Sequence, residues 1–435
     1  MDNQLSQSRR KFIRDAAAAA ATPILFPMIL SASPDIQKPP ASERVNMALI
    51  GCGGMGNYNL KLFLRKPEVQ VSAVCDPDKE SRENTRHMVD QFYAKNSRTG
   101  KYQGCVAYND FRDVITRKDI DAIIQATPDH WHGIIVIAAA KAGKDIYGEK
   151  PLSLTINQGR LMCDIVKNYG VVFQTGSQQR SDSRFRLACE LVRNNRIGPV
   201  YKVEVGIPGG SVIGNQPAAP VPDGFDYNMW LGPAPYVPYC KHRTHFEFRN
   251  ILDYSGGMIT DWGAHHIDIA QWGLGTTETG PVHIQGNGQY PEDGLWNAAV
   301  TFNFTATYAD GRQVVVSDSF PQGVKFIGEK GWVFVKRGFI DAEPKSLLKS
   351  VIKPQEIHLY PSDDHRQNFL DCIRSRGETA APIEQAHRSI TIAHLANIAM
   401  QLQRPIHWNP EKEEFVNDPE ACRMSRRALR EPWRL

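Results

Sequence analysis

Two short stretches of this sequence carry side chains that together can move a proton. "GEKP" (148–151) presents Lys150 just before a proline, and "SGGMITDWGAHHIDIAQW" (255–272) places Asp261, His265 and Asp268 at i, i+4 and i+7. On a helix that spacing puts all three on one face. A carboxylate beside an imidazole suits proton transfer near neutral pH, and an ammonium can hydrogen-bond a hydroxyl as it reacts. The same residues also suit plainer arrangements: a solvated surface lysine, and a core histidine held by a structural aspartate. Gly256, Gly257 and Gly263 would let this helix approach another surface closely.

The elements that must position these groups change character along the chain. From Arg44 onward, strands and helices alternate: "RVNMALIG", "VQVSAVCD" (69–76), "IDAIIQATP" (120–128), the helix "GIIVIAAAKAG" ending at Gly143, then "KDIYGEKP" (144–151). A helix follows, capped by Thr155 and Gln158 and stopped by Gly170, and "VVFQTG" (171–176) is the last strand. Repeated strand–helix units imply a doubly wound parallel sheet, and Lys150 then lies at its carboxyl edge, where ligands bind. After residue 176 the pattern becomes alternating short strands, at 200–206, 298–308, 313–319 and 331–337, followed by helices around 366–377 and 389–403. These read as an α+β domain with a mainly antiparallel sheet and one wet face.

"GCGGMG" (51–56) supplies a ligand for that edge. A lone G-x-G-x-x-G is weak, but here it follows a strand, opens a helix, and precedes Asp76 at the end of the next strand by about 20 residues. Gly51 allows the tight turn, Gly53 lets backbone approach a pyrophosphate, Gly56 allows close helix packing, and Met55 lies in the same loop. Asp76 would hold ribose hydroxyls and repel a 2′-phosphate, which favours NAD over NADP. Lys79 and Arg82 stand near enough to soften that preference.

Composition bounds the remaining classes. Apolar content of 41% and charged content of 23% are those of a globular chain able to bury a core. Net charge is only +4 over 435 residues, with no basic block, which argues against nucleic acid as a partner. The six histidines 130, 132, 242, 245, 265 and 266 form no H-x-x-x-H and pair with no cysteine at ligand spacing, so no metal is expected. The eight cysteines contain no C-x-x-C and read as mostly buried thiols, with one disulfide as the alternative.

"SRRKFI" (8–13), then an apolar run of about 15 residues, then Ser31-Ala32-Ser33, follows the twin-arginine export plan. The run is shorter than the ~20 residues of a membrane span and contains Pro23 and Pro27. Residues 1–33 are therefore read as the signal and 34–43 as a Pro-rich linker. Residues 44–176 are the nucleotide-binding domain, 177–410 the second domain and 411–435 a tail. Pro34 disfavours cleavage after Ser33, so an uncleaved anchor is the alternative. The expected location is the periplasm, reached as a folded protein.

In order, G-x-G-x-x-G, A-T-P-x-x-x-H, E-K-P and G-G-x-x-x-D-x-G-x-H-x-x-D resemble the glucose–fructose oxidoreductase/inositol dehydrogenase/MocA family over roughly residues 44 to 405. The resemblance implies that Lys150 contacts nicotinamide and substrate, often with a cis peptide before the proline. It also implies that Asp261 and His265 position and deprotonate a sugar hydroxyl. Thr127, Pro128 and His132 match the cofactor-side segment, as do Glu149 beside Lys150 and Gln178 after the last strand. Arg180 matches a polar position nearby and is read as a substrate contact, together with His266. The aromatic stretch "NMWLGPAPYVPYCKHRTHFEFRN" (228–250) adds Trp230 and Arg243, since aromatic faces with polar tips suit sugar rings. Packing of the loop itself is the competing reading.

The expectation is an NAD(P)-dependent oxidoreductase acting on a secondary hydroxyl of a sugar, glycoside or cyclitol with a tightly bound cofactor. The alternatives are an NAD-dependent glycosidase that oxidises transiently and a binding protein without turnover. Second domains of this kind commonly dimerise through the open sheet face, so a homo-oligomer is expected.

Overall fold

The computed structural model describes residues 43–96 and 104–435, so the signal and nearly all of the linker lie outside the described residues. Six parallel strands form the first sheet: β1 (Val45–Ile50), β2 (Val69–Cys75), β3 (Val106–Tyr108), β4 (Ala122–Gln125), β5 (Asp145–Gly148) and β6 (Phe173–Thr175). Their spatial order is β3-β2-β1-β4-β5-β6. β1, β4 and β5 are almost wholly buried, and β1 and β4 are mostly aliphatic, as strands covered on both faces are. Five helices connect them: α1 (Gly54–Leu64), α2 (Lys79–Asn96), α3 (Phe111–Ile115), α4 (Asp129–Lys141) and α5 (Ile156–Tyr169). The Thr155 hydroxyl accepts from Gln158 N at the start of α5, and Gly170, at φ 61°, ends it.

The register aligns the carboxyl ends. Ile50 pairs with Cys75 and with Gln125, Gln125 with Gly148, and Gly148 with Thr175. Gly51, Asp76, Ala126 and Glu149 therefore leave the sheet side by side. Strand order reverses between β1 and β4, which is where a doubly wound sheet opens a crevice for ligand.

The second sheet has nine strands in the order β13-β12-β11-β7-β10-β9-β8-β14-β15. They are β7 (Val200–Gly206), β8 (His283–Gln289), β9 (Thr301–Thr307), β10 (Gln313–Ser317), β11 (Gly323–Gly328), β12 (Gly331–Lys336), β13 (Phe339–Glu343), β14 (Ile406–Asn409) and β15 (Glu414–Phe415). All pairs are antiparallel except β7 with β10, so the sheet is mixed. Strands at His283–Gln289, Gly323–Gly328 and Phe339–Glu343 were not legible. β8 carries glycines at 286 and 288, and β11 begins and ends in glycine, which weakens the alternating signal.

Three helices pack on this sheet, α6 (Ser183–Arg193), α9 (Gly263–Leu274) and α11 (Ile383–Gln401), while α7 (Tyr227–Leu231), α8 (Met258–Asp261) and α10 (His365–Ser375) lie elsewhere. A Cβ on Gly273 of α9 would lie 2.4 Å from the Phe326 ring of β11, so helix and sheet meet at glycine distance. α10 instead turns back to the first sheet. Its Phe369 packs edge-on against Phe63 and Tyr147, with centroids 6.2 and 5.8 Å apart. Among the described residues no helix is long and apolar enough to cross a membrane. All eight cysteines are free thiols, seven buried and Cys422 exposed.

Candidate active site

A cavity of about 540 Å³ opens at the carboxyl edge of the first sheet and is roofed by the segment between β7 and α8. The glycine loop forms its floor. Gly51 has φ +98°, and a Cβ there would strike Ala126 O at 2.4 Å. At Gly56 a Cβ would stand 1.9 Å from Gly51 O, whereas Gly53 and Gly54 face open space. That open cradle at the start of α1 fits a pyrophosphate. Asp76 Oδ2 accepts from Cys52 N at 2.7 Å and Oδ1 from Asp78 N at 2.9 Å. The carboxylate thus ties the loop to the end of β2, and burial pushes it up to about 6 despite those bonds. Arg82 is engaged by Asp76 O and Asn109 Oδ1 at 3.1 and 3.2 Å. These residues fit NAD: a cradle for two phosphates and an acceptor for ribose hydroxyls.

Met55, Thr127, Pro128 and Glu149 also line the cavity. Glu149 is buried. Its Oε1 accepts from Asn59 Nδ2 at 2.6 Å and from Gln178 Nε2 at 3.2 Å, so Gln178 acts by holding Glu149. His132 does not reach the cavity wall. Its ring is clamped between Pro151 O and Thr127 O at 2.7 and 2.9 Å, joining the turn after β5, where the Lys150–Pro151 peptide is cis, to the loop after β4.

Lys150 and Asp261 meet at the cavity. Lys150 Nζ donates to Asp261 Oδ1 at 2.6 Å and to Asp261 O at 3.0 Å, and Arg249 Nε donates to the same Oδ1 at 3.3 Å. Burial would raise the Asp261 carboxyl, but Lys150 and Arg249 together bring it below the ordinary carboxylate range. The ammonium is thereby fixed on the wall of the cavity that the glycine loop also lines.

Four expected contacts are corrected. Asp261 does not hold His265: two cations, Lys150 and Arg249, occupy the carboxylate. His265 Nδ1 is buried without a partner. Burial, Lys150 and Arg337 hold the imidazole well below its usual pKa. His266 is 1% exposed and bonded to Gly206 O at 2.9 Å, so it fastens α9 to β7 and is closed to substrate. Arg180 is 2% exposed and forks onto both oxygens of Asp268 at 2.7 Å each, stacked over Trp272. Arg243 donates to Tyr254 OH at 3.3 Å and lies off the cavity wall.

Trp230 does line the cavity, and its carbonyl is reached by the His130 ring and by Trp131 Nε1, both at 3.0 Å. Sequence reasoning missed Asp129, Arg249, Phe225 and His245, all on the wall. Phe225 and His245 stack with centroids 5.5 Å apart. The Phe225 segment is stitched to the rim after β2: Lys79 N donates to Gly224 O and Asp226 N to Pro77 O, each at 3.0 Å, and Asn109 Nδ2 donates to Asp226 Oδ2 at 2.8 Å. The weak signal for Asp129 was its place directly after Thr127-Pro128. Arg249 lay in the quoted aromatic stretch. Among the described residues no three His, Cys, Asp or Glu side chains converge as a metal site.

Residues 45–177 match the family model described as "Oxidoreductase family, NAD-binding Rossmann fold", and residues 211–435 match "Oxidoreductase family, C-terminal alpha/beta domain". The chain belongs to the glucose–fructose oxidoreductase/inositol dehydrogenase/MocA family. It is an NAD-dependent oxidoreductase of the dehydrogenase type. The scyllo-inositol 2-dehydrogenase (NAD(+)) of Bacillus subtilis is 26% identical over 351 residues, covering 77% of this chain and 87% of that protein. A glycosyl hydrolase family 109 protein of Shewanella pealeana is 28% identical over 165 residues, 35% of each chain. The solved WlbA dehydrogenase from Bordetella pertussis, in complex with NADH and UDP-GlcNAcA, superposes with a TM-score of 0.62 at 16% identity. It covers 84% of this chain and 99% of that one, and so shares the fold.

Proposed function

We propose that this family member oxidises or reduces a secondary hydroxyl carbon of a sugar, glycoside or cyclitol, using a tightly held NAD. The observation that carries this reading is the Lys150 ammonium fixed on Asp261 in the same cavity as the glycine loop. Bound nicotinamide supplies the hydride acceptor. Lys150 hydrogen-bonds the substrate oxygen and stabilises the charge that develops on it, while Asp261, kept ionised, holds Lys150 in place. Trp230 and Phe246 offer faces against which a sugar ring can lie.

The stitched Phe225 segment supports tight retention, since the roof is joined to the ribose-reading rim by main-chain bonds. Retention in turn fits export. Residues 1–33 carry the twin-arginine plan, and a protein that leaves the cytoplasm folded can take its nucleotide along. The open face of the second sheet is where a second copy would dock. The test is a panel of sugars, glycosides and cyclitols followed by nicotinamide absorbance and product mass together. Nucleotide content is measured after prolonged dialysis, and Arg9 and Arg10 are replaced by lysine to read export. Protein that dialyses empty, or a panel without redox change, would reject the reading.

A second reading is a glycosidase that oxidises, eliminates and re-reduces. A likeness to the Shewanella protein over 165 residues favours it. Nitrophenol release from glycosides without net change in nicotinamide absorbance would establish it.

A further inference from the structure

Among the described residues, six other than glycine adopt positive φ: Asn195, His245, Arg376, Gln403, Glu413 and Asn417. Asn195, Arg376 and Gln403 stand just past helix ends, where a left-handed residue routinely closes the last turn. Glu413 and Asn417 lie around the short strand β15. His245, at φ 56°, is the one of the six that lines the cavity. It opens the 3-10 turn His245–Asn250 instead of ending a helix, and the turn is anchored on both sides of it. Thr244 is 1% exposed and Phe248 is buried, yet the imidazole between them stays accessible. Backbone strain of this kind collects where a ligand is held.

We propose that His245 is a cofactor clasp, hydrogen-bonding the ADP half of NAD from the roof of the cavity while the glycine loop holds it from the floor. Among the described residues the His245 ring stacks on Phe225, at an interplanar angle of 28°, and hydrogen-bonds none. Both ring nitrogens are therefore left for a ligand. Phe225 pairs with Asp78, two residues beyond Asp76, which sets the stacked pair at the ribose-reading end of the cavity. Burial raises the Asp76 carboxyl and His245 draws it back down, as a ring near that carboxylate does. The inference rests on the reading of a tightly held NAD above and names the residue that grips it.

The roof that carries the clasp is fastened at more than the Phe225 segment. Arg430 Nε donates to Gly232 O at 2.8 Å, and its terminal nitrogens donate to Asn228 Oδ1 and Asn228 O at 2.7 and 2.9 Å. Trp433 meets Trp131 of the cavity wall edge-on, with centroids 4.7 Å apart. A nucleotide gripped between a fastened roof and a rigid glycine loop leaves slowly.

Two measurements on the full-length protein, with the nucleotide it carries, test this. In the first, bound nucleotide is exchanged against excess radiolabelled NAD in the wild type, His245→Gly and His245→Asn. Glycine relieves the backbone and removes the ring, whereas asparagine tolerates the backbone and keeps a donor. Exchange should be at least about tenfold faster in His245→Gly, the loss of one hydrogen bond to a charged group, with His245→Asn between it and the wild type. In the second, ADP-ribose competes with labelled NAD. The ratio of the two affinities should be the same in His245→Gly as in the wild type, since the contact lies on the half that both share. Exchange in His245→Gly at the wild-type rate overturns the inference. So does a ratio shifted tenfold toward ADP-ribose, which would put the contact on the nicotinamide half. If the wild type is purified empty, the retention reading is what fails. Direct titration of that empty protein with NAD and ADP-ribose then decides the clasp: both should bind at least about tenfold more weakly to His245→Gly, and unchanged affinities overturn it.

Discussion

Two buried ion pairs lie seven residues apart on the same stretch of chain, and they do opposite things. Arg180 and Asp268 meet fork to fork, with side chains 2% and 3% exposed, and Ser389 and Gln385 complete the set. Lys150 and Asp261 meet through one carboxylate oxygen, at 10% and 12% exposure, on a cavity wall. A guanidinium with all three nitrogens bonded in a closed interior is a rivet, whereas an ammonium with three donors on a cavity wall keeps capacity for a substrate oxygen. The sequence pattern treated both aspartates as one face. The difference lies in what arrives from elsewhere in the chain.

The sharpest way to break this comparison is Arg180→Ala, which strands a buried carboxylate and should cost about 3–5 kcal/mol of stability. Denaturant titration reads the loss, and turnover per folded molecule should hold. A variant as stable as the wild type but inactive would return Arg180 to the site. Lys150→Ala should show the reverse pattern: turnover lower by at least about a hundredfold, with the fold kept because Arg249 remains on Asp261. Steady-state kinetics beside circular dichroism separates the two effects.

Asp76→Ser should raise affinity for NADP relative to NAD by about tenfold, ~1.4 kcal/mol, measured by fluorescence titration. Asp76 also marks stability against pH. Its carboxyl is raised in the folded state to about 6, so the stability it confers is complete below about pH 4 and is lost as pH rises through about 6. Asp76→Asn should therefore lessen the fall in Tm across that window by a few °C, read by calorimetry. The smallest effect is expected at Arg243→Ala: about 1 kcal/mol for the bond to Tyr254, with KM unchanged. A tenfold rise in KM would show that Arg243 reaches substrate after all.

What was legible follows from how local each signal is. The glycine loop, Asp76 and Lys150 belong to strand ends whose alignment is dictated by parallel pairing, so their convergence could be read from spacing alone. His266 and Arg180 could not, because their partners Gly206 and Asp268 are 60 and 88 residues away and no local pattern announces them. Asp129 was hidden for the same reason, as Ser255 lies 126 residues downstream. The i, i+4 spacing of Asp261 and His265 did not announce Lys150, 111 residues upstream, which takes the Asp261 carboxylate instead.

The return of α10 to the first sheet bears on how this chain is made. Phe369, Leu370 and Cys372 share a core with Met47, Leu49, Phe63 and Tyr147, so the nucleotide half keeps a gap in its packing until residues near 370 have left the ribosome. Half-made chains expose apolar surface and attract misassembly. The nucleotide half is therefore not a finished unit when its own strands have been synthesised. Its completion waits for nearly the whole polypeptide, which ties the quality of the glycine-loop half to the successful synthesis of everything that follows it.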